Sequence, residues 1–169
     1  LLHITSLPGK YGIGTLGNEA YDFDDLLSST GQKYWQILPF GPVNPAMGHS
    51  PYSSSSTFAG NYLLISPEKL AQESCFDEVL PKINFKDDHF INFEKVITHK
   101  KNLIQLAHEK FKKNADIQEK EKFNQFCTSS EDWLEDFALF AALSEKFKTE
   151  SWLAWEKEIS FRTVNTLIK

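Results

Sequence analysis

The run Lys33-Tyr-Trp-Gln-Ile-Leu-Pro-Phe-Gly-Pro42 constrains this chain more than any other segment. Tyr34 to Leu38 is nearly continuous in bulky residues, the pattern of a parallel strand covered on both faces. Pro39 stops it, because proline has no N–H to give to a ladder. A long polar loop follows, rich in Gly, Pro, Ser and aromatic side chains, and it contains Ser50-Pro-Tyr52 and Phe58-Ala-Gly-Asn61. Open and barrel α/β folds place binding sites where rigid elements end in such loops. This loop displays hydroxyls and flat rings, with no metal-ligand cluster and no basic patch. Those are the groups that bind an uncharged, hydroxyl-rich ligand such as a sugar.

The segment before it completes a supersecondary pattern. Leu1 to Leu7 reads as a short strand ended by Pro8-Gly9. Asn18 reads as the cap of a helix that runs to Gly31, a residue suited to the position after a helix end. Ala20, Phe23 and Leu27 share one face of it, while Glu19, Asp22 and Asp25 face water. Strand, helix and strand make one βαβ unit, for which a right-handed crossover is expected. The fold class expected is therefore α/β at the N-terminal end.

After Asn61 the texture changes. Tyr62 to Ile65 is a short apolar run, and Ser66-Pro67 reads as the start of a turn of helix. Pro81 to Asp88 is linker-like. Phe93, Val96, Ile97, Ile104, Ala107 and Phe111 then recur at three and four, the period of an amphipathic helix. Lys112 to Lys122 is charged and reads as a solvated connection or a helix start. Ser130 reads as a further cap, ahead of a wide apolar arc that includes Trp133, Phe137 and Phe140, so that helix is expected to be well buried. Trp152 and Trp155 follow in another amphipathic segment and read as core. The division expected is residues 1–65, loop-bearing α/β, and residues 66–169, mainly helical.

Composition narrows the function classes. A net charge of −5 argues against nucleic acid as the main partner. No apolar run reaches the ~18 residues of a membrane span. The two cysteines, Cys75 and Cys127, lack CxxC spacing, so a reducing cytoplasm is the default expectation and a zinc site is not expected. The chain holds 169 residues and begins Leu1-Leu2-His3, with its one methionine, Met47, internal, which reads as a fragment.

Several motifs have competing readings. Gly12-Ile-Gly14-Thr-Leu-Gly17 matches G-x-G-x-x-G, a dinucleotide fingerprint. That fingerprint needs the turn at the strand end and an acid at the end of the second strand. Here Pro8 to Tyr11 intervenes and Gly31 to Pro42 holds no acid, so the glycines read instead as a tight loop. Asp132, Glu135 and Asp136 include carboxylates for glycoside chemistry, but Glu135 and Asp136 are adjacent on a helix and cannot flank one bond. His3, His49, His89, His99 and His108 show no H-x₃-H spacing, so no metal is expected. His3 reads as a core histidine, whereas His49 lies in the site-like loop.

On these residues the chain resembles the amylomaltases, the bacterial 4-α-glucanotransferases also called disproportionating enzymes. The resemblance is carried by Leu1-Leu-His-Ile-Thr-Ser-Leu-Pro8, Tyr11-Gly-Ile-Gly14, Tyr34-Trp-Gln-Ile-Leu-Pro39, Gly41-Pro42, Ser50-Pro-Tyr52 and Phe58-Ala-Gly-Asn61, with Trp133-Leu-Glu-Asp-Phe-Ala-Leu-Phe140 beside them. It implies the N-terminal portion of a (β/α)₈ TIM barrel, namely its first two strands and first helix, followed by a mainly helical inserted subdomain. It implies transfer of α-1,4-glucan segments between maltooligosaccharides or starch-like glucans, by a retaining double displacement and without a cofactor. The nucleophile Asp and acid/base Glu of such an enzyme would lie beyond Lys169, so the chain alone is expected to be inactive. What carries over is substrate contact: Tyr52 matches a tyrosine that packs on a sugar, Ser50 matches a serine of the same loop, and His49 neighbours both. The chain departs from the family pattern where His49 replaces the usual Asp, Thr15 stands where Asp is common, Met47 lies near a frequent Tyr, and Tyr62 replaces Pro. The competing class is a non-catalytic sugar-binding or interaction module, which would have to close its own core.

Overall fold

The computed structural model describes residues 1–72, 85 and 90–162. The linker reading of residues 81–88, apart from Phe85, and the positions of Cys75 and His89 lie outside the described residues. The chain forms two compact units, residues 1–122 and 123–169.

The first unit contains helices α1 (Asn18–Ser29), α2 (Pro67–Gln72) and α3 (Phe93–Asn114). Helix α1 starts where the sequence places it, but Gly17 is its N-cap residue, and Asn18 is the first helical position. Space at that position is tight, since a Cβ on Gly17 would lie 2.8 Å from the Ser66 hydroxyl oxygen. The end of α1 follows the expectation for Gly31, whose φ is 76°. Its N–H donates to the Ser28 carbonyl at 3.0 Å, and the Gln32 N–H donates to Leu27 at 2.9 Å. This double bond pattern is a Schellman motif, which satisfies carbonyls a helix leaves open.

The two expected strands are corrected by the structure. Ile4–Ser6 forms a single 3-10 turn, and no strand occurs among the described residues. Residues 1–7 and 34–38 do lie side by side, through the Leu2 N–H to the Gln36 carbonyl at 3.1 Å. The Trp35 indole N–H also donates to the Leu2 carbonyl at 2.8 Å. One lateral contact does not make a ladder. A bulky run acquires strand geometry only when partners bind its backbone repeatedly on both sides.

Two small cores hold this unit together. Ile4, Leu7, Ala20 and Leu64 form one, with Phe23 and Trp35 packed against it and edge to face on each other at 4.8 Å. Ile13, Leu63 and Val96 form the other, lined by Val43, Tyr62 and Phe93. Helix α3 is capped by the Asn92 side chain, which accepts from the Lys95 N–H at 3.1 Å. Its buried face is Val96, His99, Lys100, Leu103 and Ala107, which is the predicted helical period shifted onto two polar residues. Helix α3 packs on the 3-10 turn Tyr62–Leu64.

Lys100 is completely buried, and its ammonium donates to the Ile65 carbonyl. Burial pushes its pKa down to about 8, opposed by the Glu68 carboxylate. His99, beside it, is stacked on Tyr11 with ring centroids 5.7 Å apart. Neither nitrogen of the His99 ring has a hydrogen-bond partner among the described residues.

The unit boundary falls inside α4 (Ile117–Ser129). The charged run around it is a helix start with a reciprocal capping box. The Glu119 N–H donates to the Asp116 carboxylate, and the Asp116 N–H donates to the Glu119 carboxylate, both at 2.8 Å.

The second unit contains α5 (Leu134–Phe147) and α6 (Lys157–Ser160). Ser130 does not cap α5. It is buried, and its carbonyl accepts from the Trp133 and Leu134 N–H groups in a turn that precedes the helix. The expectation of a well-buried α5 is also corrected, since no described residue of it is fully buried. Trp155 is the apolar anchor here: it is 8 % exposed, packs on Phe140 and Phe147, and donates its indole N–H to the Thr149 carbonyl at 3.0 Å. Trp152, read as core, is half exposed. Among the described residues no helix is long and apolar enough to cross a membrane.

Candidate functional site

The loop of residues 40–61 is shaped by its own polar side chains. The Asn44 amide oxygen accepts from the Ala46 N–H at 2.7 Å and caps the 3-10 turn Pro45–Met47. Gly48 and His49 then take left-handed backbone conformations, with φ of 66° and 57°. The His49 N–H returns to the Asn44 carbonyl at 3.0 Å, which closes the turn. The Ser50 hydroxyl accepts from the Tyr52 N–H at 3.3 Å, and the Ser53 N–H donates to the Ser50 carbonyl at 3.1 Å.

The serine run that follows is ordered. The Ser54 hydroxyl donates to the Ser56 carbonyl at 2.7 Å. The Ser56 hydroxyl accepts from the Phe58 and Ala59 N–H groups at 3.2 and 3.0 Å. Val43 and Ser54 form an antiparallel bridge across the loop. Gly41 permits this closure, because a Cβ there would collide with the Ser54 side chain. Asn61 seals the base. Its N–H donates to the Phe40 carbonyl at 2.7 Å, and its buried side chain accepts from the Leu63 N–H at 3.0 Å. Serine and asparagine hydroxyls and amides that bond to nearby backbone are the usual builders of such turns.

The three predicted contact residues are brought together on one short arc. Tyr52 is 74 % exposed, so its ring is presented to solvent. Ser50 is half-buried, and its hydroxyl accepts from the Tyr52 N–H. His49 is half-buried and lies face to face on Phe93, with centroids 4.1 Å apart and planes 8° apart. Burial holds its pKa below the ordinary value of 6.5, so the ring is neutral at neutral pH. Met47 and Phe58 are also exposed on the same loop. His3 stacks on Phe40 at 6.2 Å, and burial lowers its pKa too.

The glycine-rich run is a packing device. The Gly14 N–H is bonded to the Thr5 carbonyl at 3.2 Å, and a Cβ on Gly14 would collide with the Ile4 carbonyl. That N–H is therefore not offered to a phosphate. In the second unit, Asp136 pairs with Arg162 at the exposed surface rather than with another carboxylate. No group of three or more His, Cys, Asp or Glu side chains is placed to hold a metal among the described residues. Sequence reasoning missed the Phe93 contact with His49. Phe93 read as a core position of α3, and no spacing rule links it to a loop so far away in sequence.

In fold, the chain matches an amylomaltase from Streptococcus agalactiae, a structure solved in complex with acarbose. The TM-score is 0.86 at 34% identity, over 99% of this chain and 33% of that one. Residues 2–169 match the family model described as 4-alpha-glucanotransferase, and the chain belongs to that family. It is 42% identical over 163 residues to a 4-alpha-glucanotransferase of Clostridium butyricum, covering 95% of this chain and 32% of the relative. It is 40% identical to that of Aquifex aeolicus, covering 99% of this chain and 33% of the relative. The chain thus spans about a third of the length of the curated relatives it matches.

Proposed function

We propose that this chain is the N-terminal part of a 4-α-glucanotransferase and that it supplies substrate contacts rather than bond chemistry. The observation that carries this reading is the loop of residues 40–61: a self-bonded scaffold that presents the exposed Tyr52 ring next to Ser50 and His49. A flat amphipathic ring packs on the apolar face of a sugar, while its hydroxyl and the nearby polar groups face the sugar's hydroxyls. The partner is a maltooligosaccharide or α-glucan, an uncharged ligand in keeping with a loop free of ionised side chains. Family membership and the likeness to a structure that holds acarbose support the same choice.

In this reading residues 1–65 belong to a (β/α)₈ barrel and residues 66–169 to a helical insertion. The loops 8–17 and 40–61 would be the first two barrel loops, at the face where such barrels bind substrate. Retaining transfer between glucans needs a carboxylate nucleophile and a carboxylic acid/base about 5 Å apart. Both would come from sequence beyond Lys169. The residues of this chain then bind and orient the glucan, so that the scissile bond lies between those two carboxyls. A reducing, cytoplasmic setting fits the free thiol of Cys127.

The test is Tyr52→Ala in the whole protein, assayed by disproportionation of maltotriose. Loss of a positioning ring is expected to lower transfer by about 100-fold. The exposed ring contributes little to packing, so the melting temperature should stay within a degree or two. Unchanged disproportionation would remove Tyr52 from the site.

A further inference from the structure

We infer that Phe93, the first residue of α3, is a positioning residue for the glucan-contact loop and acts by holding the His49 ring. The inference rests on the reading of Tyr52 and Ser50 given above. The hydrogen bonds among Asn44, Ala46, His49, Ser50, Tyr52 and Ser53 fix the shape of the loop from within. The His49 ring leaves that arc and lies flat on Phe93, at 4.1 Å between centroids. Phe93 in turn packs against the core of Ile13, Leu63 and Val96. The Asn92 cap fixes the helix end that carries it. A continuous path therefore runs from the core, through Phe93 and His49, to Ser50 and Tyr52.

Three features make His49 an anchor rather than a bystander. Its backbone sits at φ 57°, a conformation that side-chain-bearing residues rarely adopt, so the ring contact is held against a local preference. Its Nδ1 is buried with no hydrogen-bond partner among the described residues, so no bond from that nitrogen competes with the stack. Burial keeps the ring neutral, which is the form that packs on an aromatic face without a charge to desolvate. The neighbouring Tyr52 ring, by contrast, is open to solvent. In this role Phe93 acts through the His49 ring rather than on the sugar. It would set how tightly the loop is held at the place where the sugar arrives.

Phe93→Leu and Phe93→Tyr in the whole protein separate this role from simple packing. Leucine keeps an apolar side chain but removes the ring, and tyrosine keeps the ring. Phe93→Leu is expected to raise the KM for maltotriose about tenfold with kcat changed less than twofold. Phe93→Tyr should restore KM to within about twofold. Phe93→Met, apolar and unbranched but without a ring, keeps the test open if Phe93→Leu folds poorly, and the same KM increase is expected. In proton NMR of the whole protein with labelled histidine, the His49 ring protons should be shifted upfield by the Phe93 ring and lose that shift in Phe93→Leu. Parental KM in both Phe93→Leu and Phe93→Met, alongside a strong defect in Tyr52→Ala, would overturn the role of Phe93 and leave the Tyr52 site standing. A parental Tyr52→Ala would instead overturn the site itself. Loss of the upfield shift in Phe93→Leu confirms the stack, and its absence in the parent protein refutes it, whatever the kinetics.

Discussion

The two units of this chain solve the same problem differently. Residues 1–122 close around two cores that include fully buried Ile4, Leu63 and Val96. Their loops press backbone against backbone at Gly14 and are stitched by side-chain bonds at Asn44, Ser54, Ser56 and Asn61. Residues 123–169 have Trp155 as their buried apolar side chain among the described residues, and α5 has none. Leu139, Phe140, Leu143, Trp152 and Ile159 there line an open groove of about 330 Å³. The lesson is that apolar content alone does not make a core. The first unit has many elements that meet from different parts of the sequence, whereas the described residues of the second comprise the end of α4, helix α5 and short helical turns.

The largest effect expected is at Gly14 in the first unit. Gly14→Ala would drive a Cβ into the Ile4 carbonyl and to 2.9 Å from the Leu7 N–H nitrogen, and both are backbone atoms that cannot rotate away. A loss of about 3 kcal/mol or more is expected, seen as faster amide exchange throughout residues 1–72. Exchange in residues 134–147 should be unchanged. Equal acceleration in both units would show that they unfold as one and would break the comparison.

Within the second unit, Trp155→Ala should cost about 3 kcal/mol, since a buried ring and a hydrogen bond to Thr149 are lost together. Trp152→Ala, at the open groove, should cost less than about 1 kcal/mol. Chemical denaturation of the two variants measures the difference. Equal losses would mean that the groove is closed in solution.

A smaller effect separates the units by pH. All five histidines lie in residues 1–122. The pKa of His99 is held below 6.5 first by burial and then by the Lys100 charge, and burial lowers His3 and His49 as well. Below pH 6.5 the unfolded chain therefore binds more protons than the folded one, and stability falls as pH drops. His99 alone can contribute at most about 1.4 kcal/mol per pH unit. Amide exchange between pH 7 and 5.5, corrected for its intrinsic rate, should show the first unit loosening and the second holding. His99→Phe should flatten the slope.

How much of this was legible in the sequence depends on where each residue finds its partners. Helices α1 and α3 were legible because their period and ends are local: Gly31 stops α1 as expected, and Phe93 to Phe111 falls within α3. The start of α5 was misread at Ser130, because that residue is drawn into a turn and buried. The strands at residues 1–7 and 34–38 were not realised among the described residues, since strand geometry is conferred by lateral neighbours. The division at residue 65 follows chain texture, from loop to helix. The contact boundary at residues 122 and 123 follows packing, because α3 folds back onto the turn at Tyr62–Leu64. At the candidate site, Ser50, Tyr52 and His49 stand out in the sequence as polar and aromatic residues of one loop, and their contact with a glucan remains the proposal made above. The contact of His49 with Phe93 and the burial of Lys100 were not, because both depend on tertiary approach.

The central claim is that these residues orient a glucan and leave bond making to others. It is tested most directly by assaying the purified 169-residue chain for glucose release from maltotriose, with circular dichroism to establish that it is folded. A folded chain should release no glucose above background, because a retaining transfer has no covalent intermediate without its nucleophile. Turnover by the folded chain would contradict the claim and would place the catalytic carboxylates within residues 1–169.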